Sequence, residues 1–429
     1  MFCHIKEVYQ FFQDRRSLGI KLGLSRMDQM LDALDHPEKQ IRAVHVAGTN
    51  GKGSTLTYMK EALKQNGYKV GTYTSPSIDK INDHFHINDE VMSDTSLIDC
   101  MNQLAPVING LDVTGDPPTE YEIIFMLAIV YFADVVDIAI IETNMGGTDD
   151  STNCIEPCLS IITNIGMDHA PFLGNSYEQI ARHKAGIIKG GVSIISGVAQ
   201  PEAREVIKQE AEIKNAPIFE LNREFRIVDR KLTTEKQESF TFLSGNQKLV
   251  DVILAMKGEH QVGNAALACM GLEKLKEQGL TLVDKITIAA FGTAVIRGRF
   301  EQVHDNPTVI VDGAHNQEGV TAFLSTVERY YPSQKKALLF AAFRDKPIKE
   351  MLTALTSDFD MVTASSFNHP RSATVEDLMQ ASGKEIVVTD DWKLTLQSFL
   401  ADQTNKETIL FVTGSLHFIG LIRKNLEKK

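Results

Sequence analysis

Along the first half of the chain, short apolar runs alternate with stretches whose apolar residues recur at helical spacing. The runs at residues 41–47, 68–73, 137–141 and 159–163 predict strands, and residues 54–66 and 119–133 predict helices between them. Strands that are apolar almost throughout and are separated by helices belong to parallel sheets covered on both faces. Between about residues 224 and 254 the pattern changes to alternation with turn signals, as in Ser239-Phe-Thr-Phe-Leu-Ser, which predicts a small antiparallel excursion. A long helix is expected at 261–278. After Arg299 a second alternating series begins, with strands expected at 308–311, 337–341, 361–364 and 409–413. No long linker rich in Pro, Gly or Ser divides the two series, so a short hinge near 294–299 is the expected boundary. The predicted fold class is α/β, in two domains.

Composition changes this picture little. At 429 residues the chain exceeds what one hydrophobic core usually serves, which again favours two domains. A hydrophobic share of 43% and a charged share of 23% are ordinary for a globular enzyme. The net charge of −12 argues against nucleic acid as a partner, because phosphate backbones attract basic surfaces, but leaves room for a small anionic substrate. The start Met1-Phe-Cys-His-Ile-Lys-Glu lacks the basic and apolar segments of a signal peptide, and the most apolar stretch, 123–133, is too short to span a bilayer. Five cysteines, with Cys154 and Cys158 too far apart for a Cys-x-x-Cys knuckle, read as reduced thiols. A cytoplasmic protein with no membrane partner is the expectation.

The chemistry begins where the first strand ends. Val44-His45-Val46-Ala47 runs into Gly48-Thr49-Asn50-Gly51-Lys52-Gly53-Ser54-Thr55 and then into a helix. Glycines let backbone N–H groups converge on phosphate oxygens, and the helix start adds partial positive charge. Lys52 can reach the β- and γ-phosphates, and Ser54 or Thr55 can place a hydroxyl near a magnesium ion. The spacing departs from G-x-x-x-x-G-K-[ST], because Gly53 stands between the lysine and the hydroxyl. Read alone, the loop points to nucleotide binding and to no particular reaction.

Further polar groups fall at expected strand ends, where sites of parallel sheets gather. Glu142 ends the run 137–141 and leads into a turn-rich loop carrying Asp149 and Asp150; Asp168 and His169 follow the run 159–163; Glu122 opens an apolar helix. Taken singly, each has an ordinary reading as a first-turn charge, a turn former or a loop histidine. Together, oxygen-rich groups with one imidazole suit Mg²⁺. Lys184, near the end of a helix beginning around Ser176, reads by itself as a solvated lysine complementing the helix dipole.

These pieces, in this order, resemble the folylpolyglutamate synthase/dihydrofolate synthase branch of the Mur ligase family. The resemblance runs from Gly19-Ile-Lys-Leu-Gly-Leu-Ser-Arg26 to Thr413-Gly-Ser-Leu-His417. It is carried by Gly48-Thr-Asn-Gly-Lys-Gly-Ser, Thr74-Ser-Pro, Gly146-Gly…Asp150-Ser-Thr-Asn, Asp168-His169, Lys184-Ala-Gly-Ile, Gly298-Arg-Phe and Asp312-Gly-Ala-His-Asn316. It implies a P-loop ATPase domain with a mostly parallel sheet over residues 1–296, including a folate-side region, and a smaller Rossmann-like α/β domain over 297–429. It further implies that ATP phosphorylates the carboxylate of a folate or dihydropteroate, and that the amine of L-glutamate attacks the acyl phosphate.

Residue roles follow from the same resemblance. Thr49, Asn50, Gly51, Lys52, Gly53 and Ser54 bind ATP phosphates. Ser54, Ser75, Glu122 and His169 match positions around Mg²⁺, and Lys184 matches a lysine that is carbamylated in many members. Asn264 matches a base contact, Arg299 and His315 phosphate contacts, and Asp312 a ribose contact; Lys52, Lys184 and His315 form the expected catalytic set. Lys21 and Arg26 fall in the pterin-side region, with Asp150 on the substrate side. Three positions depart from the branch. Asp83-His84 stands where Glu-Arg is frequent, so His84 is expected at the incoming glutamate's carboxylate. Thr148 replaces an arginine after Gly146-Gly147, and His183 replaces an acidic residue before Lys184. Many relatives act as monomers, which is the expectation here. The alternative reading is a Mur-type ligase paralogue with a different acid–amine pair.

Overall fold

The structure is a computed structural model; it describes residues 1–77, 80–245, 247–382 and 386–427. Contacts divide the chain into two compact units. One comprises Met1–Lys231, Ser239–Ile253 and Gly263–Ala294, the other Leu232–Glu238, Leu254–Val262 and Val295–Lys429.

The first unit is built on an eight-stranded sheet of β1 (Ala43–Ala47), β2 (Val70–Tyr73), β3 (Phe85–Ile87), β4 (Glu90–Val91), β5 (Ile138–Glu142), β6 (Leu159–Ile162), β7 (Ile194–Ser196) and β8 (Ile218–Glu220). Their order across the sheet is β4-β3-β2-β5-β1-β6-β7-β8. The strands from β2 to β8 in that order run parallel, and β3 and β4 extend the edge antiparallel. β1 therefore lies between β5 and β6, and the chain leaves it in one direction and returns on its other side. Such a switch point leaves a crevice at the carboxyl ends of the central strands. The helix Glu120–Phe132 buries Ile123 to Ile129 without a break, which is why its apolar pattern has no polar face. A three-stranded sheet of β9 (Phe225–Leu232), β10 (Glu238–Ser244) and β11 (Gln247–Ile253) accounts for the alternating stretch.

The second unit carries a six-stranded sheet of β12 (Glu301–Asp305), β13 (Thr308–Val311), β14 (Lys335–Phe340), β15 (Met361–Ser365), β16 (Val387–Thr389) and β17 (Thr408–Thr413), ordered β12-β13-β17-β14-β15-β16. All neighbours are parallel except β12 on β13. Separate apolar clusters pack the two faces of this sheet. The buried carboxylate of Glu238 fastens the segment 232–238 to the helix Gln317–Tyr330 through Arg329 Nε at 2.7 Å. Among the described residues, no helix is long and apolar enough to cross a membrane. All five cysteines are free thiols.

Candidate active site

β1 ends at Ala47, and the chain turns through Gly48–Gly51 into the helix Lys52–Gln65. Two glycines here are obligatory. Gly48 has φ +152° and a Cβ on it would lie 1.8 Å from Thr163 Oγ1; Gly51 has φ +82° and would meet Asn264 Oδ1 at 2.3 Å. Asn164, just past β6, ties the loop down: its carbonyl accepts from Thr49 N–H at 3.1 Å and its Oδ1 from Asn50 N–H at 2.8 Å. Thr163 Oγ1 donates to the Asn50 carbonyl at 2.6 Å. The first helical bond runs from Thr55 N–H to the Gly51 carbonyl, 2.9 Å. The amides of Lys52, Gly53 and Ser54 precede it and are the ones a helix start offers to an anion. Asn264 is brought against this loop, and its carbonyl accepts from Thr55 Oγ1 at 3.4 Å.

Two lysines converge on one carbonyl. Lys52 Nζ donates to the Gly48 carbonyl at 3.0 Å and to Thr49 at 3.3 Å. Lys184 Nζ donates to the same Gly48 carbonyl at 2.9 Å. Lys184 lies in the last turn of the helix Tyr177–Ala185 and is buried, so the solvated helix-end reading does not hold. Burial, and after it the charge of Lys52, push its pKa from 10.5 down to about 7 against the opposing pull of Asp168 and Asp150. Glu142 ends β5 beside Val46 of β1, with Oε1 3.8 Å from Lys52 Nζ and Oε2 3.4 Å from Ser75 N. Ser75 Oγ donates to the Thr143 carbonyl at 3.5 Å. His169 heads the short helix Ala170–Leu173 with φ +53°, its Nε2 3.9 Å from Asp168 Oδ2. Thr49 Oγ1 donates to the Gly166 carbonyl at 3.1 Å, which ties this segment to the phosphate loop.

Among the described residues, no group of three or more His, Cys, Asp or Glu is arranged to hold a metal ion. Glu142, with the Ser75 amide against it and Ser54 in the first turn of the helix after the loop, offers hard oxygen donors. That suits Mg²⁺, which keeps several waters and shares its remaining ligands with phosphate.

Several expected site residues are committed elsewhere. Glu122 is the first correction. Its Oε2 accepts from Thr119 N–H at 2.7 Å and Thr119 Oγ at 2.8 Å, and Arg26 Nε lies 2.9 and 3.1 Å from its two oxygens. It is the buried end of a capping box and an ion pair, so the carboxylate beside Lys52 and Ser75 is Glu142. Arg26 also reaches Asp116, and Lys21 Nζ donates to the Pro117 carbonyl at 2.8 Å, so both cations brace the N-terminal segment against residues 116–122. His84 is the second correction. It is buried, its Nδ1 lies 2.6 Å from the Thr74 carbonyl, and its ring stacks on Tyr73. Burial lowers its pKa to about 4, and a neutral enclosed imidazole does not serve as a cation for a carboxylate. Asp150 accepts from Met145 N–H at 2.7 Å, Thr152 N–H at 3.0 Å and Thr152 Oγ at 2.6 Å, which makes it the clamp of its own loop. Burial raises its pKa. Thr148 N–H and Oγ both donate to the His183 carbonyl, at 2.8 and 3.2 Å, so two of the departing positions contact each other.

In the second unit, Arg299, Asp312 and His315 form a group of their own. Asp312 Oδ2 accepts from Phe300 N–H and Oδ1 from Ala314 N–H, each at 2.9 Å, joining the Arg299 segment to the loop after β13. Burial raises the Asp312 pKa, with Arg299 opposing. The Arg299 guanidinium lies over Gly313, where a Cβ would sit 2.5 Å from Nη1. His315 Nδ1 is 2.8 Å from the Gly313 carbonyl. Sequence reasoning missed Thr163 and Asn164, the residues that hold the phosphate loop. Their position immediately after a predicted strand beside β1 was the available signal.

Comparison with known proteins identifies the family. Residues 46–272 match the Mur ligase middle domain, and residues 298–416 the Mur ligase glutamate ligase domain. The chain is 38% identical over 431 residues to dihydrofolate synthase/folylpolyglutamate synthase of Bacillus subtilis, covering 100% of both. Among solved structures, it superposes on folylpolyglutamate synthase of Thermotoga maritima with a TM-score of 0.84 and 29% identity, covering 99% of this chain and 96% of that one. For the Mycobacterium tuberculosis folylpolyglutamate synthase complexed with ADP and AMPPCP, the TM-score is 0.90 at 25% identity, covering 99% and 98%. The chain thus belongs to the folylpolyglutamate synthase/dihydrofolate synthase branch of the Mur ligase family.

Proposed function

We propose that this chain joins the amine of L-glutamate to the carboxylate of a folate or dihydropteroate, using ATP and releasing ADP and phosphate. ATP-dependent acid–amino-acid ligation is the activity of its family, and the full-length match to folate-named relatives does not favour another acid–amine pair. The observation that carries the residue-level reading is the convergence of Lys52 and Lys184 on the Gly48 carbonyl, with Glu142 3.8 Å from Lys52.

A carboxylate oxygen leaves poorly, and transfer of the γ-phosphoryl group converts it into a leaving group. Lys52, together with the amides of Lys52, Gly53 and Ser54, holds the phosphates and offsets charge on the group in transfer. The resemblance assigns phosphate contacts to Arg299 and His315 and a ribose contact to Asp312, whose carboxylate accepts from the Phe300 and Ala314 amides. Glu142, Ser75 and Ser54, with His169 as the resemblance adds it, would hold Mg²⁺; bound there, the ion would neutralise phosphate charge and orient the transferring group. Lys184, half neutral near pH 7, can add CO₂: the amine nitrogen bonds the carbon, a proton leaves, and a carbamate anion results. That replaces the repulsion between two ammonium groups by an attraction between Lys52 and the carbamate.

In this reading residues 1–296 carry ATP and the acid substrate, and 297–429 the ligase domain. The chain acts in the cytoplasm as a monomer on small molecules, without nucleic acid or membrane. Phosphate release should require ATP, an acid substrate and glutamate together. Release that ignores glutamate would count against ligation.

A further inference from the structure

β1 carries an imidazole where the sheet encloses it most. His45 has no solvent exposure and sits between Ile141 of β5 and Ser160 of β6 in the strand register. Its Nε2 lies 2.8 Å from Thr152 Oγ1, and the Thr152 hydroxyl donates to Asp150 Oδ1 at 2.6 Å. A hydroxyl has one proton, and here it points to the carboxylate, so toward His45 it can only accept. His45 is thereby fixed as the neutral Nε2–H tautomer. Burial, and after it the charge of Lys189, hold its pKa at about 3, and among the described residues Nδ1 has no hydrogen-bond partner. Burying an imidazole with one unmatched nitrogen is costlier than burying the aliphatic residues that fill the rest of β1. What Nε2–H holds in place is the compensating gain.

Thr152 and Asp150 anchor the turn that follows β5. Asp150 Oδ2 accepts from Met145 N–H, and Thr148 meets the His183 carbonyl through both its amide and its hydroxyl. A Cβ on Gly147 would lie 2.5 Å from that carbonyl and 3.0 Å from the Lys184 carbonyl, so the turn is pressed against the residue that carries the buried ammonium. Lys184 Nζ then reaches the Gly48 carbonyl, three residues beyond His45 on the same chain segment. The contacts close a ring from β1 through Thr152, Asp150, the 147–148 turn and Lys184 back to β1.

We infer that His45 and Thr152 are positioning residues for the ligase reaction: they hold Asp150, and through it the turn that sets Lys184 over the phosphate loop. This deepens the proposed function and rests on Lys184 acting in it. Thr152→Val keeps the side-chain shape and removes both hydrogen bonds, whereas Thr152→Ser keeps the hydroxyl. His45→Leu removes the donor, whereas His45→Gln retains one near the Nε2 position.

Full-length variants are compared by glutamate-dependent phosphate release across ATP concentrations, with the folded fraction measured by thermal unfolding. Thr152→Val and His45→Leu should lower kcat per folded chain by about tenfold or more and leave KM for ATP within about twofold, as for other partners that orient a group at the reacting centre. Thr152→Ser and His45→Gln should recover most of the loss. Parent-like kcat per folded chain in Thr152→Val overturns the inference, and so does a loss that Thr152→Ser does not repair. If His45→Leu fails to fold, the Thr152 pair decides. A fully active Lys184→Ala would instead remove the role of Lys184 itself, which separates failure of that reading from failure of this one.

Discussion

At the scale of single residues, burial decides which side chains carry charge. Lys184 is brought to about pKa 7 by enclosure and by Lys52, so a substantial neutral fraction is available for the carbamate formation proposed above. Lys184→Ala should lose glutamate-dependent phosphate release, and a small carboxylic acid such as acetate should restore part of it by standing in for the carbamate. Parent-like activity without added acid would make Lys184 an ordinary buried lysine. His84 shows the same physics with another consequence. Its pKa is lowered from 6.5 to about 4, so above pH 6.5 the folded and unfolded chains both carry a neutral imidazole and its contribution is complete. Between pH 6.5 and about 4 the unfolded chain binds a proton that the folded chain refuses, and stability falls as pH falls. His45 and His260, at about 3 and about 4, add slopes of the same sign. His84→Gln should therefore lose melting temperature less steeply than the parent as pH falls through that window. Parallel curves would show that His84 is not held neutral.

At the scale of elements, the sequence was most readable where a strand is buried on both faces. The runs that became β1, β5, β6, β13 and β17 are apolar enough to be found unaided, and the glycine pattern marked the turn after β1. The strands β3, β4, β7, β8 and β16 span two or three residues each, too few for any periodicity to emerge. Charged positions were legible as candidates, but their partners were not, because register and helix caps decide which carboxylate faces which cation. Thr119-x-x-Glu122 ahead of an apolar run is the signature of a capping box, and that local signal outweighs the resemblance which assigned Glu122 to a metal. The two glutamates should consequently fail in different ways. Glu122→Ala strands the buried Arg26 charge and should cost up to about 3–5 kcal/mol of stability, with turnover per folded chain largely kept. Glu142→Gln should leave the melting temperature near the parent value and lower turnover at limiting magnesium by at least about tenfold. Paired measurements of melting temperature and phosphate release decide the assignment, and the reverse pattern would return the metal role to Glu122.

At the scale of the whole molecule, each unit assembles its own group of candidate residues on its own sheet. No local pattern announces that segments 232–238 and 254–262 belong with the second unit, since Glu238 meets Arg329 across 91 positions of sequence. The alternation of strand and helix was enough to give the α/β class, because it depends only on periodicity repeated along the chain. The reaction, by contrast, depends on what acid reaches the phosphate loop. An acyl phosphate forms equally well, as chemistry, from the benzoate-type carboxylate of dihydropteroate or from the side-chain carboxylate of a folate's terminal glutamate. In both cases the same amine completes the amide. Dihydropteroate and a reduced folate should accordingly be tested side by side, each with and without glutamate, at saturating ATP and magnesium. Glutamate-dependent phosphate release is expected with at least one of the two acids, and it should vanish in Lys52→Ala, which removes the ammonium proposed to hold the phosphates. Release with both acids would make the chain bifunctional, like the name of its Bacillus subtilis relative. Release with neither, in protein that still hydrolyses ATP when offered another acid and amine, would overturn the folate assignment and leave the ligase chemistry standing.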